Sequence, residues 1–156
     1  MKTIFRFGLH VMVMTFILGG CAKKPETAAA PKDRPPHGGT PVAIGDDEYH
    51  VEFVLDPGTG TLSAYLLDDE MEEFVRSNMA SFEVTATAGG GAHTLVFKPV
   101  ANPATGETVG DTALFTAQAD WLKTTKEFAG VIKSVTLDGT TFTDIDFDFP
   151  RGNETD

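Results

Sequence analysis

Alternation of apolar and polar residues with a period of two recurs along the sequence from residue 37 onward. Between Tyr49 and Leu55 every second side chain is apolar, and Ile145, Phe147 and Phe149 alternate with aspartates. Successive side chains of an extended strand point to opposite faces, so this period indicates strands that are buried on one side. The pattern predicts antiparallel β-structure with little helix.

Six further segments have the composition of short strands, and turn-forming residues separate several of them. The turns lie at residues 57–60, 89–91 and 138–139, where Pro, Gly and Asp-Gly sequences favour tight hairpins. Seven or eight such strands predict an all-β domain, either an antiparallel, Ig-like β-sandwich or a partly open barrel. The six segments are residues 42–44, 61–67, 81–87, 94–99, 113–119 and 131–137.

The burial pattern also predicts pairing details. A four-residue loop at residues 57–60 places Leu55 opposite Leu62 and Phe53 opposite Ala64, whereas a slip of one residue would break the apolar face. Residues 69–77 and 120–128 carry apolar side chains at helical spacing. We expect each to form a short helical turn within a connection.

The N-terminus has the features of a bacterial lipoprotein signal peptide at residues 1–20. Lys2 and Arg6 precede an apolar stretch, residues 7–20, which as a helix would be about 21 Å long and too short for a hydrocarbon core of about 30 Å. The stretch ends in a Leu-Gly-Gly-Cys sequence that resembles a lipobox. Cys21, the only cysteine, is therefore expected to carry the lipid; the alternative is a secretory peptide with a chance cysteine.

The predicted domain organisation follows from composition. Residues 21–36 comprise the lipidated cysteine and a disordered Ala- and Pro-rich tether, residues 37–150 a single β-domain, and residues 151–156 a disordered tail. The domain has 19 Asp or Glu and 5 Lys or Arg, a formal charge of −14. This charge excludes nucleic acid as an expected partner, because no basic patch is available for phosphates.

No complete catalytic motif is present, and the protein is not expected to be an enzyme. The glycines at residues 89–91 lie between two strand patterns rather than between a strand and a helix, so they predict a hairpin and not a phosphate loop. The acidic runs at residues 68–73 and 144–148 lack the spacing of a calcium loop. They are expected to be solvated faces.

One pair of residues is a candidate for metal binding. His50 and Glu52 are two positions apart on a predicted strand, so both side chains project from one face, and imidazole with carboxylate suits zinc or cupric copper. His37 would lie about 20 Å from His50 along the sheet unless Gly38 and Gly39 fold the chain back. A surface histidine paired with a glutamate, without a metal, is the alternative.

The segments HGG, EYHVEFVLD and LSAYLLD resemble a group of small exported bacterial proteins, many of them planctomycete lipoproteins. Related HGG and histidine-bearing segments occur in proteins found alongside heavy-metal efflux systems. The resemblance extends more loosely through ADWLKTTKEFAGVIKSVTLDGTTF. It implies an exported β-domain and makes His37, His50 and Glu52 candidates for metal contact.

Two functions are therefore predicted, and an enzyme without a recognisable motif is a third alternative that ranks below both. The first is a non-enzymatic binding module, held on the membrane by its lipid and linked to copper or zinc handling or efflux. The second is a structural or protein-interaction β-sandwich at the cell envelope, with envelope or efflux proteins as partners and no metal role. Because the neutral Ala22 follows Cys21, the periplasmic face of the outer membrane is the expected location, with the inner membrane as the alternative.

Overall fold

A computed structural model describes residues 34–154, which form one eight-stranded antiparallel β-sheet. A single turn of 3-10 helix, Asp120–Lys123, precedes the seventh strand. None of the helical structure in residues 34–154 has the length and hydropathy needed to cross a membrane. The strands are β1 (Thr40–Ile44), β2 (Tyr49–Asp56), β3 (Thr61–Leu67), β4 (Phe82–Ala88), β5 (Gly91–Pro99), β6 (Leu114–Gln118), β7 (Phe128–Leu137) and β8 (Thr140–Phe149).

The sheet curves into a nearly closed barrel. Its strand order is β1-β2-β3-β6-β5-β4-β7-β8, so five hairpins are joined by two pairings between strands distant in sequence, β3 with β6 and β4 with β7. The end strands β1 and β8 approach each other, and the segment after β8 joins them: the backbone of Gly152 pairs with Asp148 of β8, and the side chain of Asn153 binds Ala43 of β1. Its Oδ1 accepts from the N–H of Ala43 at 2.8 Å, and its Nδ2 donates to the carbonyl of Ala43 at 3.0 Å.

The interior of the barrel is filled by aromatic and aliphatic side chains. Phe53 stacks on Phe147 with ring centroids 4.9 Å apart, and Phe82 stacks on Phe97 at 4.7 Å. These rings belong to one continuous cluster of buried apolar residues contributed by all eight strands. The fold is therefore stabilised by one hydrophobic core, and no disulfide is available within residues 34–154 because they contain no cysteine.

The predicted all-β fold is confirmed, and it takes the barrel form. The register expected for the β2–β3 hairpin is observed at Leu55 opposite Leu62 and at Phe53 opposite Ala64. Turns at residues 89–90 and 138–139 connect paired strands, as predicted. Each of the six additional strand segments overlaps a strand of the structure.

Two connections and the C-terminus differ from expectation. Residues 69–77 form no helix. Their backbone groups pair with neighbouring segments instead, through isolated β-bridges of Phe74 with Leu67 and of Ser77 with Thr112. The predicted helical turn at 120–128 is limited to its first four residues. Residues 151–154, assigned from sequence to a tail, are hydrogen-bonded to the barrel through Gly152 and Asn153.

Candidate functional site

The outer face of β2 carries two buried polar side chains, His50 and Glu52. They alternate with Val51 and Phe53, which point into the core cluster. His50 is 3% exposed and Glu52 is 0% exposed, although both face away from the core. Burial of such polar groups requires hydrogen-bonding partners, and segments from the two ends of the domain supply them.

Glu52 is held by the segment that precedes β1. Its Oε1 accepts from the backbone N–H groups of His37 at 2.9 Å and Gly39 at 2.7 Å. Its Oε2 accepts from Nδ1 of His37 at 2.8 Å. Three N–H donors thus converge on one buried carboxylate, the arrangement that compensates an acidic group for lost hydration.

Gly38 and Gly39 allow the chain to fold back in this way. Gly38 has a φ of +67°, in the left-handed region that glycine adopts without steric cost. At Gly39 a Cβ atom would lie 2.5 Å from the carbonyl oxygen of Phe53, so only glycine permits this approach to β2. The His-Gly-Gly sequence is therefore used to lay backbone donors over Glu52.

The His37 ring is fixed on a second side by stacking on Tyr65, with ring centroids 3.8 Å apart and an interplanar angle of 16°. Burial raises the pKa of the Tyr65 hydroxyl, and the charge of Glu52 raises it further. Because Nδ1 of His37 donates to a carboxylate, its Nε2 carries the lone pair in the neutral ring. The geometry presents this nitrogen as a preoriented acceptor.

His50 is oriented by a different set of groups. Its Nδ1 lies 3.2 Å from the carbonyl oxygen of Asp68, which can only accept, so Nδ1 carries a proton. Its Nε2 lies 3.2 Å from Oε1 of Glu154. In a neutral ring these two atoms would both present lone pairs, so this contact is favourable only with a proton or a cation between them.

A third residue lies within reach of this contact. Asp47, in the β1–β2 turn, offers a carboxylate oxygen, and the ligand atoms of Asp47, His50 and Glu154 all lie within 4.8 Å of one another. Asp47 and Glu154 are exposed at the rim, whereas His50 is buried beneath them. One nitrogen and two carboxylates form a donor set suited to zinc or cupric copper.

The structure thus divides the three residues predicted from sequence into two places. His37 and Glu52 meet each other, while His50 faces Asp47 and Glu154. Both oxygens of Glu52 already accept hydrogen bonds, so this carboxylate serves to orient His37. Cys21 and the signal peptide lie outside the described residues.

Sequence reasoning missed Asp47 and Glu154. Asp47 belongs to a turn whose acidic residues resemble an ordinary solvated turn, and Glu154 stands in a polar terminus with no strand pattern. The acidic run near residue 68 has a structural use instead, since Oδ1 of Asp68 accepts from the N–H groups of Glu72 and Glu73. At the other run, Asp144 pairs with Lys133 on the adjacent strand.

A cleft of about 420 Å³ opens beside His37. Aromatic side chains form one wall, where Phe74 is 50% exposed and lies 6.2 Å from the Tyr65 ring. The rest of the lining is mainly polar and includes Arg76 and Glu107, with Ala113 and Leu114 beside them; we call it the polar wall. The cleft lies on the same outer surface as Glu52, because His37 both lines the cleft and contacts Glu52.

Glu107 is built into the cleft wall. Burial raises the pKa of its carboxyl, but hydrogen bonds from Ala113, Thr105 and Thr112 and the nearby charge of Arg76 together hold the pKa below its ordinary value. Arg76 is held by Oδ2 of Asp111 at 3.2 Å and by the carbonyl of Thr105 at 2.6 Å. The polar wall is therefore ordered by its own contacts.

Comparisons with models of protein families, with curated proteins and with solved structures found no match to this chain.

Proposed function

We propose that this protein is a lipid-anchored, non-enzymatic module of the bacterial cell envelope that binds a zinc or cupric ion at His50. The observation that carries the proposal is the convergence of Asp47, His50 and Glu154 within 4.8 Å. The lipidated Cys21 provides the membrane anchor, and the resemblance to exported proteins near metal efflux systems agrees with metal handling. This site replaces the His50 and Glu52 pair as the proposed ligand set.

The orientation of His50 supports the proposal. Metal-binding histidines usually donate their second ring N–H to a carbonyl or carboxylate, which fixes the ring and directs the other nitrogen at the ion. The Nδ1 contact to the Asp68 carbonyl has this geometry and leaves Nε2 facing Glu154. A cation bound between Nε2 and the carboxylate oxygen would make their close approach favourable.

The number and exposure of the ligands favour reversible binding. Three protein ligands leave at least one coordination position for water or an incoming ligand, whereas structural zinc sites are closed by four. The two carboxylates lie at the rim, so an ion can enter without opening the barrel. An exchangeable site of this kind suits capture and transfer of an ion better than stabilisation of a fold.

Calorimetric titration with zinc and with cupric ions tests the site. We expect one ion per chain, with affinity falling in acid because protons compete for the imidazole nitrogen. Replacement His50→Ala is expected to weaken binding by at least about tenfold, and Glu154→Gln by less, since loss of one donor leaves an incomplete set. His93→Ala, on β5 and stacked against Trp121, is the matched control and is expected to leave affinity unchanged.

Weak binding at several sites, suppressed by salt and insensitive to His50→Ala, would contradict the metal proposal. Such ions would be responding to the net negative charge of the domain. The envelope-interaction function would then become the preferred one, and partners co-purified with the full chain would be the next measurement.

The anchor is tested separately with Cys21→Ser in the full chain. A serine cannot form the thioether, so we expect lipid incorporation to be lost and the protein to leave the membrane fraction or to remain unprocessed. Labelled fatty-acid incorporation and fractionation measure both effects. Unchanged membrane association of this variant would show that another segment is the anchor.

A further inference from the structure

We propose that the cleft beside His37 is a second binding site and that it takes a neutral sugar ring. This site is distinct from the metal site at His50, because none of the residues that line the cleft is among Asp47, His50 and Glu154. Its volume of about 420 Å³ lies within the range of small-molecule sites. The two walls differ in chemistry, and that difference points to the ligand class.

The aromatic wall provides a flat apolar surface. Tyr65 and His37 are stacked and mutually fixed, and the Phe74 ring stands beside them half exposed. Among the described residues only Phe74, Val96 and Val109 are large exposed hydrophobics. An exposed aromatic ring at the edge of an ordered cleft is a typical contact surface for an apolar ligand face.

The polar wall provides hydrogen-bonding groups at fixed positions. Arg76 is clamped by Asp111 and Thr105, and Glu107 is clamped by Ala113 and Thr105. On the aromatic side, Nε2 of His37 makes no hydrogen bond within residues 34–154 and is an acceptor in the neutral ring. Asn102 adds an amide to the lining.

A sugar ring matches both walls. Its axial C–H face is apolar and stacks on aromatic rings, while the hydroxyls around its edge both donate and accept hydrogen bonds. A planar aromatic ligand could stack on the aromatic wall, but it has no hydroxyl to donate to Nε2 of His37 or to accept from the side-chain amide of Asn102.

Charge favours a neutral ligand over an anion. Arg76, the one Lys or Arg among the residues of the 34–154 range that line the cleft, already pairs with Asp111, and Glu107 adds a further negative charge. The surrounding domain is strongly acidic. A carboxylate or phosphate ligand would therefore enter against the field of the protein.

The buried carboxylate of Glu52 has a defined part in this site. It holds both the backbone and the ring of His37, so the aromatic wall is positioned before a ligand arrives. Such preorganisation removes an ordering cost from binding. Glu52 is thus a positioning residue for the cleft, with no contact to the ligand required.

Titration of the isotope-labelled full chain with cellotriose and with chitotriose, followed by backbone-amide NMR, tests the proposal. We expect at least one of the two probes to give saturable shifts confined to the cleft residues, with an affinity near or tighter than about 1 mM. Phe74→Leu retains apolar bulk without a ring face and is expected to weaken binding about tenfold. Val96→Ala, at another exposed apolar position, is expected to bind as the parent does.

Three outcomes overturn the sugar assignment. The first is the absence of saturable shifts with both sugars at about 10 mM, ten times the expected dissociation constant. The second is equal binding by the Phe74→Leu variant. The third is saturation by indole without saturation by either sugar. Because the titration contains no metal and His50 is unchanged, a failure here leaves the His50 proposal intact.

Discussion

Replacement of Glu52 by alanine is expected to lower the free energy of unfolding by about 3 kcal/mol. The side chain is 0% exposed and accepts three hydrogen bonds from His37 and Gly39. Its removal leaves those donors without an acceptor and opens a space on the outer face of β2. The segment before β1 is then expected to detach, and urea denaturation with amide hydrogen exchange at residues 37 and 39 measures both effects.

Two variants separate the causes of this loss. Glu52→Gln keeps an acceptor oxygen for the two backbone donors, and its amide can donate to Nδ1 of His37 in the other tautomer, so a loss of about 1 kcal/mol is expected. Glu83→Ala removes an exposed glutamate from β4 and is expected to change stability by less than about 0.5 kcal/mol. If Glu52→Ala behaved as Glu83→Ala does, the convergent hydrogen bonds would have no energetic role.

The local part of the fold was predictable from the sequence. Hairpin register depends on the loop length and on which face is apolar, and both are visible between Leu55 and Leu62. The pairings β3–β6 and β4–β7 were not predictable in the same way. They join strands separated by long connections, and period-two alternation fits any antiparallel neighbour equally well.

The candidate site was predictable only as a set of residue types. Alternation places His50 and Glu52 on one strand face about 6.6 Å apart, which suggests a shared ion. Tertiary contacts separate them, because residues 34–39 approach Glu52 and residues 151–154 approach His50. From the sequence, Gly38 and Gly39 only allow the chain to fold back; in the structure it does so, and the segment lies over Glu52 rather than His50.

The C-terminal residues contain a turn sequence, although their polar composition predicts disorder. The sequence after Pro150 is short and polar, which is typical of a disordered end. Its Gly-Asn pair is also typical of a turn, and here Gly152 has a φ of +85° while Asn153 bonds both backbone groups of Ala43. Gly152 and Asn153 thus link β8 to β1 by hydrogen bonds.

Substitution of Gly152 by alanine is expected to break this link between β1 and β8 and to lower the free energy of unfolding by about 3 kcal/mol. A Cβ atom at this position would lie 2.1 Å from the carbonyl oxygen of Pro41, which belongs to the backbone of β1 and cannot turn aside. Either β1 shifts or the terminus leaves the barrel. In the second case Asn153 loses Ala43, and Glu154 is withdrawn from His50.

Gly139→Ala is the matched control for this substitution. Gly139 has a φ of +82°, nearly that of Gly152, but nothing lies within 4 Å of its Cβ position. Alanine there should therefore cost only the left-handed backbone strain, about 1 kcal/mol. The difference between the two variants in urea denaturation isolates the contact with β1, and equal losses would contradict it. Because Glu154 is a proposed metal ligand, Gly152→Ala should also weaken zinc binding, whereas Gly139→Ala should leave it unchanged. If the terminus contributed nothing to stability or to the metal site, the two variants would not differ in either measurement.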